Sequence, residues 1–207
     1  RRTREMWKRA RNWPAGEPTE RTAPDLIEAS AKLGRIPGLH SLDMAEAEAV
    51  IGARYRTHRL KMPDGEAPLD FRHHAIAGDG ASLNLLRYGP DIEVEANVFD
   101  TFYMLEFPLT GGVDVLYGRD RISSCAGRGL ILSPGPFIRS NWHPGTTQIM
   151  LRLDRDFVER FYRRFTGDPV ARTPFFKPEI DLDTPAGRRL ARLVGLMATE
   201  QIEAGCD

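Results

Sequence analysis

Ile92-Glu93-Val94-Glu95-Ala96-Asn97-Val98 alternates apolar and polar residues with a period of two, whereas Phe102-Tyr103-Met104-Leu105-Glu106-Phe107 is apolar at both phases. The first pattern is that of a strand with one dry face. In the second, Phe102 and Met104 point one way, and Tyr103, Leu105 and Phe107 the other. Such a strand has to be covered on both sides, by a barrel interior and by a packed helix. Working outward, the same texture runs from about Pro68 to Leu153, with Gly, Pro, Asp and Asn recurring at the spacing of an all-β sandwich or barrel. The candidate strands are 69–76, 81–88, 92–98, 101–109, 113–117, 121–125, 129–133, 137–142 and 146–153. So many strands do not make one open sheet, and closing into a barrel or double sheet removes exposed edges.

At Leu153 the period changes to that of a helix. Phe157, Phe161 and Phe165 form one stripe, Arg155, Arg160, Arg163 and Arg164 lie elsewhere on the wheel, and Gly167 ends the segment. A last helix starts near Asp183 or Thr184 with Pro185 in its first turn. Its stripe of Leu190, Leu193, Val194 and Met197 suits docking on the barrel or pairing with a second copy, as a homodimer surface. Before the strands, Asp25 and Asp43 can cap two short helices. The expected fold is therefore α+β, mainly β. It consists of a basic flexible arm (1–24), N-terminal helical segments (25–66), a β-barrel (67–153) and a helical dimerisation region (154–207). Trp7 and Trp13 in the arm leave two readings, a solvated linker or a lid over the barrel.

Lys and Arg total 29, as do Asp and Glu, so the 207 residues carry no net charge and the pI is about 7.2. A DNA-binding domain is usually strongly basic, so this chain is not expected to bind DNA by itself. No apolar run is long enough to cross a membrane and no signal peptide heads the chain, which points to the cytoplasm. Cys125 and Cys206 are read as reduced thiols. The chain begins at Arg1 rather than Met, and reads as the front portion of something longer.

The chemistry-bearing motifs of enzymes are missing: no GxSxG, no Cys–His pairing at a known spacing, no Walker loop. No enzyme activity and no cofactor are expected. Some barrels of this kind, the cupins, hold a metal through clustered histidines and a glutamate. Here His73 and His74 are adjacent and point to opposite faces, and His143 sits in a turn, so no metal site is expected. A small barrel can instead hold one ligand. The candidate binding residues are His73, Arg87, Phe102, Met104, Arg139, Trp142 and Met150, with His74 as an alternative to His73 at the mouth. Aromatic walls and an arginine fork anchor favour an aromatic or carboxylate molecule. Two alternatives stay open: a metal-dependent enzyme, and a cyclic-nucleotide sensor gripping phosphates through Arg87, Arg119, Arg121, Arg128 and Arg139.

The order of segments carries a resemblance. Arg54-Tyr55-Arg56-Thr57-His58-Arg59-Leu60 leads into the barrel, followed by Leu83-Asn84-Leu85-Leu86-Arg87-Tyr88-Gly89 and Phe102-Tyr103-Met104-Leu105-Glu106-Phe107-Pro108-Leu109-Thr110-Gly111. Gly129-Leu130-Ile131-Leu132-Ser133-Pro134-Gly135 and Leu151-Arg152-Leu153-Asp154-Arg155 complete it. Over about residues 40–204 the chain resembles the N-terminal regulatory domain of AraC/XylS-type transcription regulators with a cupin-like sensor. The resemblance implies a cupin-like barrel that senses a small-molecule effector, and helices after it that dimerise. It also implies a C-terminal domain with two helix-turn-helix units that binds promoter DNA, expected beyond residue 207.

Overall fold

The computed structural model describes residues 20–55, 58–62, 67–168 and 173–204. Most of the basic arm, with Trp7 and Trp13, lies outside the described residues, as does Cys206. In chain order the elements are α1 (Pro24–Leu33), β1 (Gly38–Ser41), α2 (Met44–Arg54), β2 (Arg59–Lys61), β3 (Phe71–Gly78), β4 (Ala81–Arg87), β5 (Ile92–Val98) and β6 (Phe102–Thr110). They continue with β7 (Gly112–Tyr117), β8 (Asp120–Cys125), β9 (Arg128–Leu132), β10 (Phe137–Trp142), β11 (Thr147–Asp154), α3 (Arg155–Thr166), β12 (Glu179–Asp181) and α4 (Pro185–Ala204). All nine expected strands form, each within two residues of its expected ends. The short strands β1, β2 and β12 were not expected: at three or four residues they are too brief to show a period.

The strands make one antiparallel sheet in the order β1-β3-β4-β11-β6-β9-β8-β7-β10-β5-β2, with β12 added beside β9. The sheet is cupin-like but curls without closing, because among the described residues its end strands β1 and β2 do not pair. Those edges are only four and three residues long, so little unpaired backbone is left to protect.

Curling produces two cores, one on each face. Inside, Phe71, Leu86, Phe102, Met104 and Met150 from one half of the sheet meet Val94, Val115, Ile138 and Trp142 from the other. Outside, Leu83, Leu105, Phe107, Ile149 and Leu151 pack under Leu26, Ala29 and Leu33 of α1 and Ala191, Val194 and Ala198 of α4. Strand β6 belongs to both cores, and every one of its residues is buried. The two apolar faces of its sequence are thus covered by barrel and helix, as expected.

Helix boundaries follow local chemistry. Asp43 caps α2, its carboxylate accepting from the Ala45 and Glu46 amides at 2.7 and 3.2 Å. Thr184 caps α4, accepting from the Gly187 amide at 3.0 Å. Asp25 does not cap α1: the helix begins one residue earlier, at Pro24, whose missing N–H needs no partner there. Asp154 sits at the N-cap of α3 without a side-chain cap bond, because its carboxylate is taken by Arg152 at 2.6 Å. Gly167 closes α3 in the left-handed conformation. The aromatic stripe of α3 stays largely in solvent, with Phe161 66% and Phe165 81% exposed.

The turn between β6 and β7 locks the sheet to the β10–β11 connection. Gly111 has φ +64°, and a Cβ there would lie 2.4 Å from Thr146 Oγ1 and 2.8 Å from its Cα. That hydroxyl donates to Gly112 O at 2.9 Å and accepts from Gly112 N at 3.0 Å. Gly111→Ala adds both a strained backbone and a clash with main-chain atoms. We expect it to lower stability by about 1–3 kcal/mol in urea unfolding, whereas Gly135→Ala, whose Cβ meets nothing within 4 Å, shows only the backbone part.

Candidate functional site

Inward-facing residues of β4, β5, β6, β10 and β11, with α2 and the segment after it, line a cavity of about 60 Å³. That is room for a few water molecules, well below the roughly 300 Å³ of a drug-sized site. Aromatic rings make its walls. Tyr88 and Trp142 meet edge to face at 4.9 Å, Phe99 and Phe102 stack at 4.4 Å, and Tyr55 tilts over Phe102 at 6.0 Å. Met104, Met150, Leu86 and Ile138 supply the aliphatic part, and Ile51, Tyr55 and His58 close the side toward α2.

Strand alternation decides which expected residues arrive here. Phe102, Met104, Trp142 and Met150 do. Arg139 does not: three residues from Trp142 on one strand, it must face the opposite way. It lies on the outside, 3.0 Å from Glu95 and 3.8 Å from Glu93 across β5. The carboxylate anchor expected from the sequence is therefore not in the barrel. Arg87 also points outward, its Nε donating to Asp70 Oδ2 at 3.0 Å, beside Arg72, which donates to Oδ1 at 2.9 Å. These two guanidiniums hold the Asp70 carboxyl below its usual range against the opposing effect of burial. Arg119, Arg121 and Arg128 are exposed, and none of the five arginines of the cyclic-nucleotide reading lines the cavity.

His73 points inward beside the cavity, without lining it, and shares a 3.0 Å hydrogen bond with Asn84 Oδ1. Burial is the main reason its imidazole is pushed down to about 4, and Asn84 opposes it only in part. His74 faces the other way, its Nδ1 2.9 Å from Ile36 O. Among the described residues no group of three His, Cys, Asp or Glu is placed to hold a metal ion.

The sequence reading missed the charged group that does line the cavity. Glu106 stands next to the wholly apolar pair Leu105 and Phe107, and its phase with Phe102 and Met104 was the available signal that it points inward. It is buried, and Oε2 has no hydrogen-bond partner. Gln148 on the paired strand β11 faces it, yet neither of its amide atoms completes a bond of normal geometry, and the buried Tyr55 hydroxyl is also unpartnered. Desolvation pushes the Glu106 carboxyl up to about 7, with Gln148 pulling slightly the other way.

A second, more open cleft of about 630 Å³ lies between α3 and the ends of β3, β4 and β11. Its lining is mostly charged, and four of the charges pair with one another: Arg152 with Asp154 at 2.6 Å and Arg155 with Glu159 at 2.6 Å. It is larger, but offers little apolar wall to hold the body of a small molecule.

In the expected dimer stripe, Val194 is fully buried against the sheet and α1, Leu190 and Met197 are half-buried, and Leu193 is 56% exposed. Leu196, at 52%, extends the exposed ridge in place of Val194.

The family model for the AraC-binding-like domain matches residues 47–206. The chain belongs to that family, and it is a ligand-sensing regulatory domain of the AraC type. Among solved structures it is similar to the AraC-like transcriptional activator CuxR, at 10% identity and a TM-score of 0.42, covering 81% of this chain and 70% of that one. It is also similar to oxalate decarboxylase from Bacillus subtilis, at 10% identity and a TM-score of 0.35, over 44% of this chain. A Cupin 2 conserved barrel domain protein from Salinispora arenicola matches at 17% identity and a TM-score of 0.34, over 61% of this chain and 90% of that one. The chain spans 27% of the oxalate decarboxylase chain and 26% of a second structure of that enzyme. No curated sequence matches it. No described helix is long and apolar enough to cross a membrane.

Glu106 and His73 give opposite pH dependences. Between about pH 4.5 and 7 the folded Glu106 keeps a proton that the unfolded chain has released, so stability is lost as pH rises through that window. Between about pH 6.5 and 4 the folded His73 stays neutral while the unfolded chain binds a proton, so stability is lost as pH falls. Glu106→Gln removes only the first effect. Its stability relative to wild type should rise by roughly 3 kcal/mol from pH 4.5 to pH 7.5 in denaturant unfolding. Parallel curves would contradict the burial of this acid.

Proposed function

We propose that this chain binds a small-molecule effector inside the barrel and passes the binding event to a DNA-binding domain expected beyond residue 207, as a non-enzymatic cytoplasmic regulator. The observation that carries the reading is the aromatic-walled cavity with the unpartnered Glu106 at its wall. An unpaired buried polar atom costs about 1–3 kcal/mol, a cost that a ligand can relieve. The resemblance of the segment order to AraC/XylS-type regulators supports the same reading.

The small cavity gives the mechanism a physical form. An effector much larger than a few waters has to widen the space. The wall formed by Ile51, Tyr55 and His58 belongs to a segment held between two short edge strands, β1 on β3 and β2 on β5, whereas the opposite wall is woven into the middle of the sheet. Effector binding would therefore select a state in which α2 has moved. Converting a 1:99 balance to 99:1 takes about 5.5 kcal/mol of differential affinity.

For assembly, the exposed ridge of Leu193 and Leu196 on α4 is the surface we assign to a second copy, with Leu190 and Met197 at its flank. Leu193→Asp together with Leu196→Asp should convert a dimer to a monomer in light scattering without changing the thermal midpoint by more than a few degrees. An unchanged mass assigns the dimer contact elsewhere.

For the site, Ser140 lines the cavity with a small side chain. Ser140→Leu should fill the space, at a cost of about 1–3 kcal/mol. Compounds that raise the thermal midpoint of the wild type in a metabolite screen should then fail on the variant. Equal stabilisation of both proteins would place the effector outside the barrel.

A further inference from the structure

Every charged and polar group near the cavity bears on the kind of molecule it takes. The guanidiniums that could receive a carboxylate are committed elsewhere: Arg139 to Glu93 and Glu95 on the outer face, Arg87 to Asp70. Arg152, whose guanidinium lies 4.9 Å from the Phe102 ring, is paired with Asp154 through Nη1, and its buried Nε has no hydrogen-bond partner. The polar groups facing the space include the free Oε2 of Glu106, the Ser140 hydroxyl and the His58 ring, with the Gln148 amide and the Tyr55 hydroxyl nearby, and Glu106 is the one acid among them. Around it stand the π-faces and edges of Tyr88, Phe102 and Trp142. With Glu106 ionised, a carboxylate ligand would meet like charge there and find only guanidiniums that already carry an ion pair. A neutral alcohol would satisfy one oxygen. An ammonium would satisfy the carboxylate with a charge-assisted hydrogen bond, and would be attracted by the aromatic faces as well.

We propose that the barrel takes a compact organic amine, its ammonium held at Glu106 and its apolar body packed among Phe102, Met104, Trp142 and Met150. The assignment rests on the reading of the barrel as the effector site. It goes further in naming the ligand's charge and in replacing the carboxylate preference that Arg139 suggested.

The test uses three probes with matched four-carbon bodies: isobutylamine, isobutanol and isobutyrate. Binding is read from the ¹³C-methyl signals of Met104 and Met150, which line the cavity. Isobutylamine should shift both signals and bind most tightly, isobutanol more weakly, and isobutyrate least. Glu106→Gln should weaken isobutylamine by about tenfold or more and leave isobutanol within about twofold. If that variant does not fold, the wild-type ranking alone decides. Isobutyrate binding as tightly as the amine overturns the proposal, and so does an amine affinity indifferent to Glu106→Gln. Isobutanol shifting the two methyls while isobutylamine does not leaves the barrel as the effector site and removes the amine. No shift from any probe removes the amine assignment too, and the Ser140→Leu comparison then judges the barrel separately.

Discussion

Strand β6 is the constraint on which the rest of this structure depends. Its nine residues are all buried, one phase inside the barrel and the other under α1 and α4. A strand buried on both faces has no solvent-facing phase, so a one-residue slip would exchange two different cores rather than expose one. The flanking strand β11 shares the arrangement: Met150 points in, and Ile149 and Leu151 point out. Through these strands the helices and the barrel interior are two sides of one object. A change in the width of the interior has a short route to α4, the helix to which we assign the second copy.

The interior also carries a cost that packing alone does not explain. Glu106 and Gln148 sit on paired strands in an apolar surround, and neither is fully satisfied. Apolar residues of similar volume there would remove the desolvation cost. A buried acid with a free acceptor, facing the cavity between the barrel walls and α2, is better understood as half of an interaction. The proposed amine completes it.

Much of the fold was legible in the sequence because sheet periodicity and turn chemistry are local. Nine strands, the Asp43 cap, the Gly167 stop and the start of the last helix all follow from near neighbours in the chain. The site was legible only in part. Phe102, Met104, Trp142 and Met150 line the cavity as expected, since large apolar residues on the inner phase have nowhere else to go. Arg139 and Trp142 could not both face inward, because they stand at opposite phases of one strand. Glu106 was passed over because its immediate neighbours read simply as core. Val194 looked like part of an outward stripe, because a helix stripe does not say whether its partner is the same chain or another one.

The sequence by itself determined the mainly β architecture, the two-sided burial of β6 and the aromatic character of the interior, because period and composition act through the nearest residues. The tertiary structure alone decided that the sheet curls without closing, that α2 forms one wall of the cavity, and that the charge facing the space is acidic rather than basic. Those outcomes depend on which distant strands pair and on which ion pairs the outer surface can complete. Glu93 and Glu95 on β5 hold Arg139 on the outside, while the pairing of β6 with β11 sets Glu106 opposite Met150 and diagonal to Gln148 within.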